Sequence, residues 1–230
     1  GLFATPQGLW VGSDTKTIGG ETRQRIALMP LAGGSAVPTV AAATLPNDLF
    51  LAERSSPGRL MRRSVAGDGT PTAGLSVANS ALDWSQLRGG FVVNGTLYYG
   101  RTDGRFYART FDPATGTVGS ERSVNMYDDP EDGRRIPFAV QNLTGMFFDP
   151  ASNRIYYTLS GDRNLYYRYF APESEVLGAE QFVGNAGSLN LSNVAGMTLA
   201  SGRVYYGSTD GALRSVAFAG GALSGFLRDH

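Results

Sequence analysis

One short phrase is written into this chain five times. Leu97-Tyr98-Tyr99-Gly100 runs into Arg101-Thr102-Asp103-Gly104 and then Phe106-Tyr107-Ala108-Arg109. Val204-Tyr205-Tyr206-Gly207 is followed by Ser208-Thr209-Asp210-Gly211 and Leu213-Arg214. Ile155-Tyr156-Tyr157 leads to Ser160-Gly161-Asp162 and Leu165-Tyr166-Tyr167-Arg168. Two divergent copies precede these, Leu49-Phe50-Leu51 with Leu60-Met61-Arg62-Arg63, and Leu9-Trp10-Val11 with Ile26-Ala27-Leu28-Met29. The anchors Trp10, Phe50, Tyr98, Tyr156 and Tyr205 lie about 40 to 58 residues apart, a period that signals a propeller or a solenoid.

Each copy reads as a four-stranded antiparallel meander. Between Gly89 and Val124, short apolar runs are separated by Asn94-Gly95, by Asp103-Gly104 and by the stretch from Pro113 to Gly116. Asn-Gly and Asp-Gly pairs tolerate the positive φ of tight hairpin turns. The aromatic doublets Tyr98-Tyr99, Phe147-Phe148, Tyr156-Tyr157, Tyr166-Tyr167 and Tyr205-Tyr206 then discriminate among β architectures. Successive strand residues point to opposite faces, so a doublet needs protein on both sides of its sheet. A sandwich sheet with one wet face alternates apolar and polar residues instead. Propeller blades are covered on both faces by their neighbours.

The expectation is therefore an all-β, five-bladed β-propeller of four-stranded antiparallel blades. It is read as a single domain over residues 1–230, with blades near 1–43, 44–82, 83–125, 139–186 and 190–228, cut from a longer secreted protein. Gly1, Gly89 and Gly196 each stand nine residues before their anchors, which places the start of the first blade at the first residue. Ring closure is expected from blade-to-blade packing rather than from a strand exchanged between the termini.

Composition removes several function classes. Twenty basic and 20 acidic residues balance to a net charge of zero, leaving no electrostatic footprint for nucleic acid. Cysteine is absent, which excludes disulfides, zinc-thiolate sites and thiol nucleophiles. The single histidine is His230, the last residue, so neither a Ser-His-Asp triad nor a histidine-ligated zinc site can be assembled inside the repeats. No run of about 18 apolar residues is present, and no membrane span is expected. The acidic run from Asp128 to Asp132 lacks the Asp-x-Asp-x-Asp-Gly order of a calcium loop, so no metal site is assigned.

A meander also fixes which loops share a face. The turns at Asp103-Gly104, Asp162 and Asp210-Gly211 fall on the same face as the links between blades, here called the upper face. The links align as Asp83 to Arg88, Ala139 to Thr144 and Asn190 to Ala195, with Gln86, Asn142 and Asn193 at one equivalent position. Both long insertions, Asp14 to Gln24 and Met126 to Gln141, map there too, and insertions gather where binding loops are carried. Candidate ligand-binding residues are Asp83, Trp84, Gln86 and Arg88 with Asn142 and Asn193. Trp84 is read either as a platform for a sugar ring or as a wedge between blades with its indole N–H bonded internally. Gln86, Asn142 and Asn193 either hydrogen-bond sugar hydroxyls or tie the link to neighbouring backbone. Arg63, Arg109 and Arg168 share one position in their third strands and suit structural pairing, with Asp103 or Asp162 as candidate partners.

The phrases Asp83-Trp84-Ser85-Gln86-Leu87-Arg88-Gly89-Gly90-Phe91, Gly145-Met146-Phe147-Phe148 and Leu165-Tyr166-Tyr167-Arg168-Tyr169-Phe170 carry a resemblance. They are similar to the repeats near the C-terminus of large secreted or surface proteins of actinobacteria, often beside PKD-type or other β-sandwich modules. That resemblance implies a secreted or cell-surface location and companion modules in the same polypeptide, and it supplies no catalytic residues. In size and blade count the chain is also similar to tachylectin, a five-bladed sugar-binding propeller. The phrase from Val204 to Leu213 resembles quinoprotein-type repeats, which build larger rings, so no quinone or other cofactor is expected.

These readings converge on a non-catalytic, lectin-like module that recognises a glycan or surface polymer through the upper face. The alternative is a structural or protein-interaction spacer. A glycoside hydrolase is a third reading, with Glu53, Asp83 and Asp103 as candidate carboxylates, because such chemistry needs two carboxyl groups flanking the sugar. The strands expected to line the axis, Leu2-Phe3-Ala4, Phe91-Val92-Val93 and Met197-Thr198-Leu199, carry no acids.

Overall fold

The computed structural model describes residues 40–124, 138–173 and 175–230, together with the backbone of five strands before residue 40. The acidic run at 128–132 and most of the 126–141 insertion lie outside the described residues. Contacts divide the chain into two compact units, Gly1–Ala41 and Ala42–His230. Among the described residues no helix is long and apolar enough to cross a membrane.

The first unit contains β1 (Leu2–Thr5), β2 (Gly8–Gly12), β3 (Thr17–Ile18), β4 (Glu21–Thr22) and β5 (Ile26–Met29). β1, β2 and β5 form an antiparallel sheet in which Trp10 pairs with Phe3 on one side and Leu28 on the other. β3 and β4 pair as a hairpin within the long turn anticipated over 14–24, the rest of which lies outside the described residues.

The second unit holds four antiparallel sheets. The first blade comprises β6 (Asn47–Ala52), β7 (Leu60–Val65) and β8 (Ser76–Asn79). The second comprises β9 (Leu87–Val93), β10 (Thr96–Arg101), β11 (Phe106–Asp112), β12 (Thr117–Val118) and β13 (Arg122–Ser123). The third comprises β14 (Leu143–Asp149), β15 (Arg154–Leu159), β16 (Tyr166–Ala171), β17 (Val176–Leu177) and β18 (Phe182–Val183). The fourth comprises β19 (Val194–Ala200), β20 (Arg203–Ser208), β21 (Leu213–Ala219) and β22 (Ala222–Asp229). β12 and β13 both pair with β11, and β17 and β18 both pair with β16. Each such pair is one outer strand broken by a bulge.

The doublets do what the alternation rule demands. Tyr98 and Tyr99 are 3% and 4% exposed, and they face different seams. The Tyr98 ring packs edge-on against Phe170 of the third blade at 5.1 Å, while Tyr99 joins Leu60 and Trp84 on the first-blade side. Tyr156 meets Phe218 of the fourth blade at 5.1 Å, and Tyr157 turns back to Phe138 at 5.1 Å. In the first blade, Phe50 stands where Tyr98 stands and meets Phe111 at 4.9 Å. The rings of Phe50, Tyr98 and Tyr156 therefore each face the following blade.

Glycines at the axis permit the inner strands to approach. A Cβ on Gly145 would lie 2.8 Å from Met197 Cγ and 3.1 Å from its backbone nitrogen. Gly89 has φ +60° and its Cβ would come within 3.1 Å of Met146 Cβ. Gly89 and Gly145 thus sit where neighbouring inner strands meet, whereas Gly196 has φ +123° and open space where a Cβ would stand.

Among the described residues the propeller has four blades, not the five expected. The physical reason is how residues 42–230 close. The backbone N–H of Ser201, in the β19–β20 turn, donates to the Ala43 carbonyl at 2.8 Å, and Leu45 N–H donates to Ser201 Oγ at 2.9 Å. Gly69 sits against the Tyr205 hydroxyl, so the fourth blade abuts the first. The fourth blade is completed by its own strand β22, as closure by packing requires. The first blade is also one strand short of expectation. Residues 40–46 form no strand before β6, and Pro46 has no N–H for a ladder there. The first repeat copy, around Trp10, lies in the other unit.

Candidate functional site

The upper face is built by three equivalent links. In each, a carbonyl accepts the N–H four residues past the anchor ring. Thr102 N–H donates to Gln86 O at 3.1 Å, Ser160 N–H to Asn142 O at 2.8 Å, and Thr209 N–H to Asn193 O at 2.9 Å. The adjoining hairpin is fixed by aspartates that accept from the backbone two residues on, Asp103 from Arg105 N–H, Asp162 from Asn164 N–H and Asp210 from Ala212 N–H. Their second oxygens take Tyr107 O–H at 2.7 Å, Tyr166 O–H at 2.6 Å and the Arg214 guanidinium at 2.8 Å. The link is thus tied by main chain, and the sequence alignment of Gln86, Asn142 and Asn193 reflects that tie.

Asp83 caps the short 3₁₀ turn Trp84–Gln86. Its Oδ1 accepts from Gly58 N–H at 2.7 Å and Ser85 N–H at 3.0 Å. These bonds, the one from Gly58 foremost, bring its carboxyl down to about 2. Trp84 is 4% exposed, wedged with Leu60, Tyr99 and Phe111 between the first and second blades. Its indole N–H donates to Asn79 Oδ1 at 3.2 Å, and Asn79 Nδ2 reaches the Gly116 carbonyl at 3.0 Å. The Trp84 ring is therefore no open sugar platform. Gln86 Oε1 accepts from the Thr102 hydroxyl. Arg88, half-buried, donates to the Ser85 and Leu87 carbonyls, each at 2.9 Å. Asn142 and Asn193 are exposed.

Asp83, Trp84 and Gln86 come together on a pocket of about 140 Å³. Leu82, Leu87, Tyr99, Arg101, Arg109 and Glu121 complete it, and Arg88, Asn142 and Asn193 are not among its lining residues. The Tyr99 hydroxyl accepts from Arg109 Nε at 2.8 Å and donates to Glu121 Oε2 at 2.5 Å. Arg109 also donates to the Gly119 carbonyl at 2.8 Å and to Glu121 at 3.2 Å, and Arg101 pairs with Glu121 Oε1 at 2.9 Å. Burial, reinforced by the Glu121 contact, pushes the Tyr99 hydroxyl up to about 12. For Glu121, burial pulls upward, but the Tyr99 hydroxyl and the two guanidiniums outweigh it and hold the carboxyl below its ordinary value.

The third-strand arginines pair structurally, though not with the aspartates expected. Arg168 repeats Arg109, donating to the Tyr157 hydroxyl at 3.2 Å and to the bulge carbonyls of Gly178 and Ala179. Arg63 reaches the Thr72 carbonyl at 2.8 Å. Asp103 and Asp162 are occupied by tyrosines instead. The arginine fork thus spans the doublet's second ring and the bulge of the outer strand.

Sequence reasoning missed Arg101 and Glu121. Both depart from the repeat: the strand registers set Arg101 opposite Leu159 in the comparison of blades, and Glu121 opposite Gln181. An unequal bulge length hid the second match. The candidate carboxylates for hydrolysis are all committed elsewhere. Glu53 is forked to Arg59 at 2.8 and 2.9 Å, Asp83 caps a turn, and Asp103 holds a hairpin. Hydrogen bonds hold the Glu53 and Asp83 carboxyls below their ordinary values, and Asp103 lies below its own despite some burial.

No protein-family model matches the chain, and no curated protein matches it. Several solved structures superimpose on it. A chain of the nidogen/laminin complex does so with a TM-score of 0.41 at 10% identity, over 97% of this chain and 91% of that one. A putative 6-phosphogluconolactonase from Bacteroides uniformis gives 0.36 at 13% identity, over 86% and 58%. The WD40 β-propeller domain of Doa1 gives 0.33 at 14% identity, over 60% and 38%. The propeller assignment stands on the sheet topology of the chain itself, and a propeller is an architecture suited to a binding or interaction module.

Proposed function

We propose that the four-bladed ring is a non-catalytic interaction module, holding a protein partner at its upper face within a secreted or surface-attached polypeptide. One observation carries this reading. Of the residues that a lectin would present, Trp84, Asp83 and Arg88 spend their polar groups on the protein's own backbone and side chains. A face assembled from such ties is rigid, and rigid preorganised surfaces lose little entropy on association. The secreted or surface setting follows the repeat resemblance.

A glycan-binding reading is second, and the polar pocket beside Gln86 favours it. Probing the complete chain against a glycan array separates the two. The expected result is no glycan retained above the level of an unrelated propeller. A retained glycan whose signal falls when Gln86 and Asn193 are changed to alanine would replace the protein-interaction reading with the lectin one.

A further inference from the structure

The second and third blades contain the same corner, and only one of the two is filled. In the third blade Phe138 enters from the link. Its ring lies over the Arg168 guanidinium, 5.1 Å from centroid to Cζ, and meets Tyr157 at 5.1 Å and 66°. Leu82 stands at the matching place before the second blade, two residues ahead of Trp84 as Phe138 is two ahead of Val140. Leucine is shorter than phenylalanine and has no ring. The corner beside it, lined by Tyr99 and Arg109, is the 140 Å³ pocket. A cavity of about 150 Å³ is enough to hold a benzene ring. In the fourth blade the same place is closed by Leu189, Leu191 and Val216, with valine in the arginine position.

The rims differ in a way that identifies the guest. In the third blade the positions equivalent to Arg101 and Glu121 are Leu159 and Gln181, which are uncharged. Around the open seat stand Arg101 and Glu121, paired at 2.9 Å. The Arg109 fork is occupied by Tyr99, Gly119 and Glu121, so what it offers a guest is its flat face, the surface on which aromatic rings stack. A carboxylate has more acceptor sites than Glu121 uses here and can take a further hydroxyl.

We infer that this pocket is the seat of a tyrosine side chain presented by a partner polypeptide, stacked on Arg109 as Phe138 stacks on Arg168. The inference rests on the interaction-module reading and names the chemistry of what the module holds. The polypeptide source follows the filled seat, where a chain segment delivers the ring.

The test follows the Trp84 indole N–H resonance of the complete chain while p-cresol, toluene and the peptide N-acetyl-Gly-Tyr-Gly-amide are titrated separately. For p-cresol, a fragment of few atoms, saturation with a Kd on the order of 1 mM is expected. Toluene should bind several-fold more weakly, and the peptide at least as tightly as p-cresol. Leu82→Phe should fill the seat in cis, abolish the p-cresol response and raise Tm. Glu121→Gln, which copies the third blade's Gln181, should keep toluene binding and remove the preference for p-cresol. No Trp84 shift up to about 10 mM p-cresol overturns the seat, given the affinity expected of a fragment. An unchanged preference in Glu121→Gln overturns the polar substituent. Binding of p-cresol without the peptide overturns the polypeptide source. None of these readouts depends on the glycan array, so failure of the seat and failure of the module reading remain distinguishable.

Discussion

Replacing Arg109 with methionine removes the fork that joins Tyr99, the Gly119 carbonyl and Glu121 while keeping most of the buried aliphatic stem. Tyr99 retains its bond to Glu121, and Glu121 retains Arg101, so neither becomes an orphan. The Gly119 carbonyl does lose its side-chain partner, and charge-assisted bonds contribute about 1.5–3 kcal/mol each when buried. The Arg109 side chain is 15% exposed and Glu121 25%, so solvent screening trims the electrostatic part. A loss of about 2–3 kcal/mol results, or roughly 5–10 °C in Tm for a protein of this size. Urea unfolding with an unchanged slope measures it. The effect also has a pH signature. Glu121 is more acidic folded than unfolded, so its contribution is present above the ordinary glutamate range and fades as pH falls through the folded value. Arg109→Met should flatten that part of the stability profile. A loss below about 0.5 kcal/mol, the size of an exposed surface pair, would refute the fork as a structural clamp.

Trp84→Ala should cost about 3–5 kcal/mol, because it empties the wedge between the first and second blades and removes one of the two hydrogen bonds that Asn79 Oδ1 accepts. Phe226→Ser, at a ring 94% exposed on β22, should leave the urea midpoint unchanged within error; equal midpoints for the two variants would contradict the burial assigned to Trp84. Gly58→Ala places a Cβ 2.3 Å from the Glu53 carbonyl oxygen and 2.5 Å from Ser85 N, so circular dichroism should report a lower Tm and loss of the Asp83 cap, while a neutral outcome would mean the link relaxes freely.

Much of the architecture is local and was readable along the chain. Hairpins at Asn94-Gly95 and Asp103-Gly104 depend on residues that tolerate positive φ, and the tyrosine doublets report double-sided burial because strand geometry alternates every residue. Even the equivalence of Gln86, Asn142 and Asn193 was visible, since a repeated main-chain tie repeats its spacing. The number of blades was not. Repeats can be counted in a sequence, but membership of the ring is decided by which sheets close on one another, and that rests on contacts such as Ser201 with Ala43 across 158 positions. The direction of side chains at the site was equally hidden. Trp84 looked like a platform or a wedge, and only the packing of Leu60 and Phe111 around it, with Asn79 on its N–H, settled it as a wedge. Arg101 and Glu121 meet over 20 residues because a bulge returns the outer strand to the pocket. Sequence dictates which backbone conformations are cheap; tertiary structure decides which neighbours those conformations bring within reach.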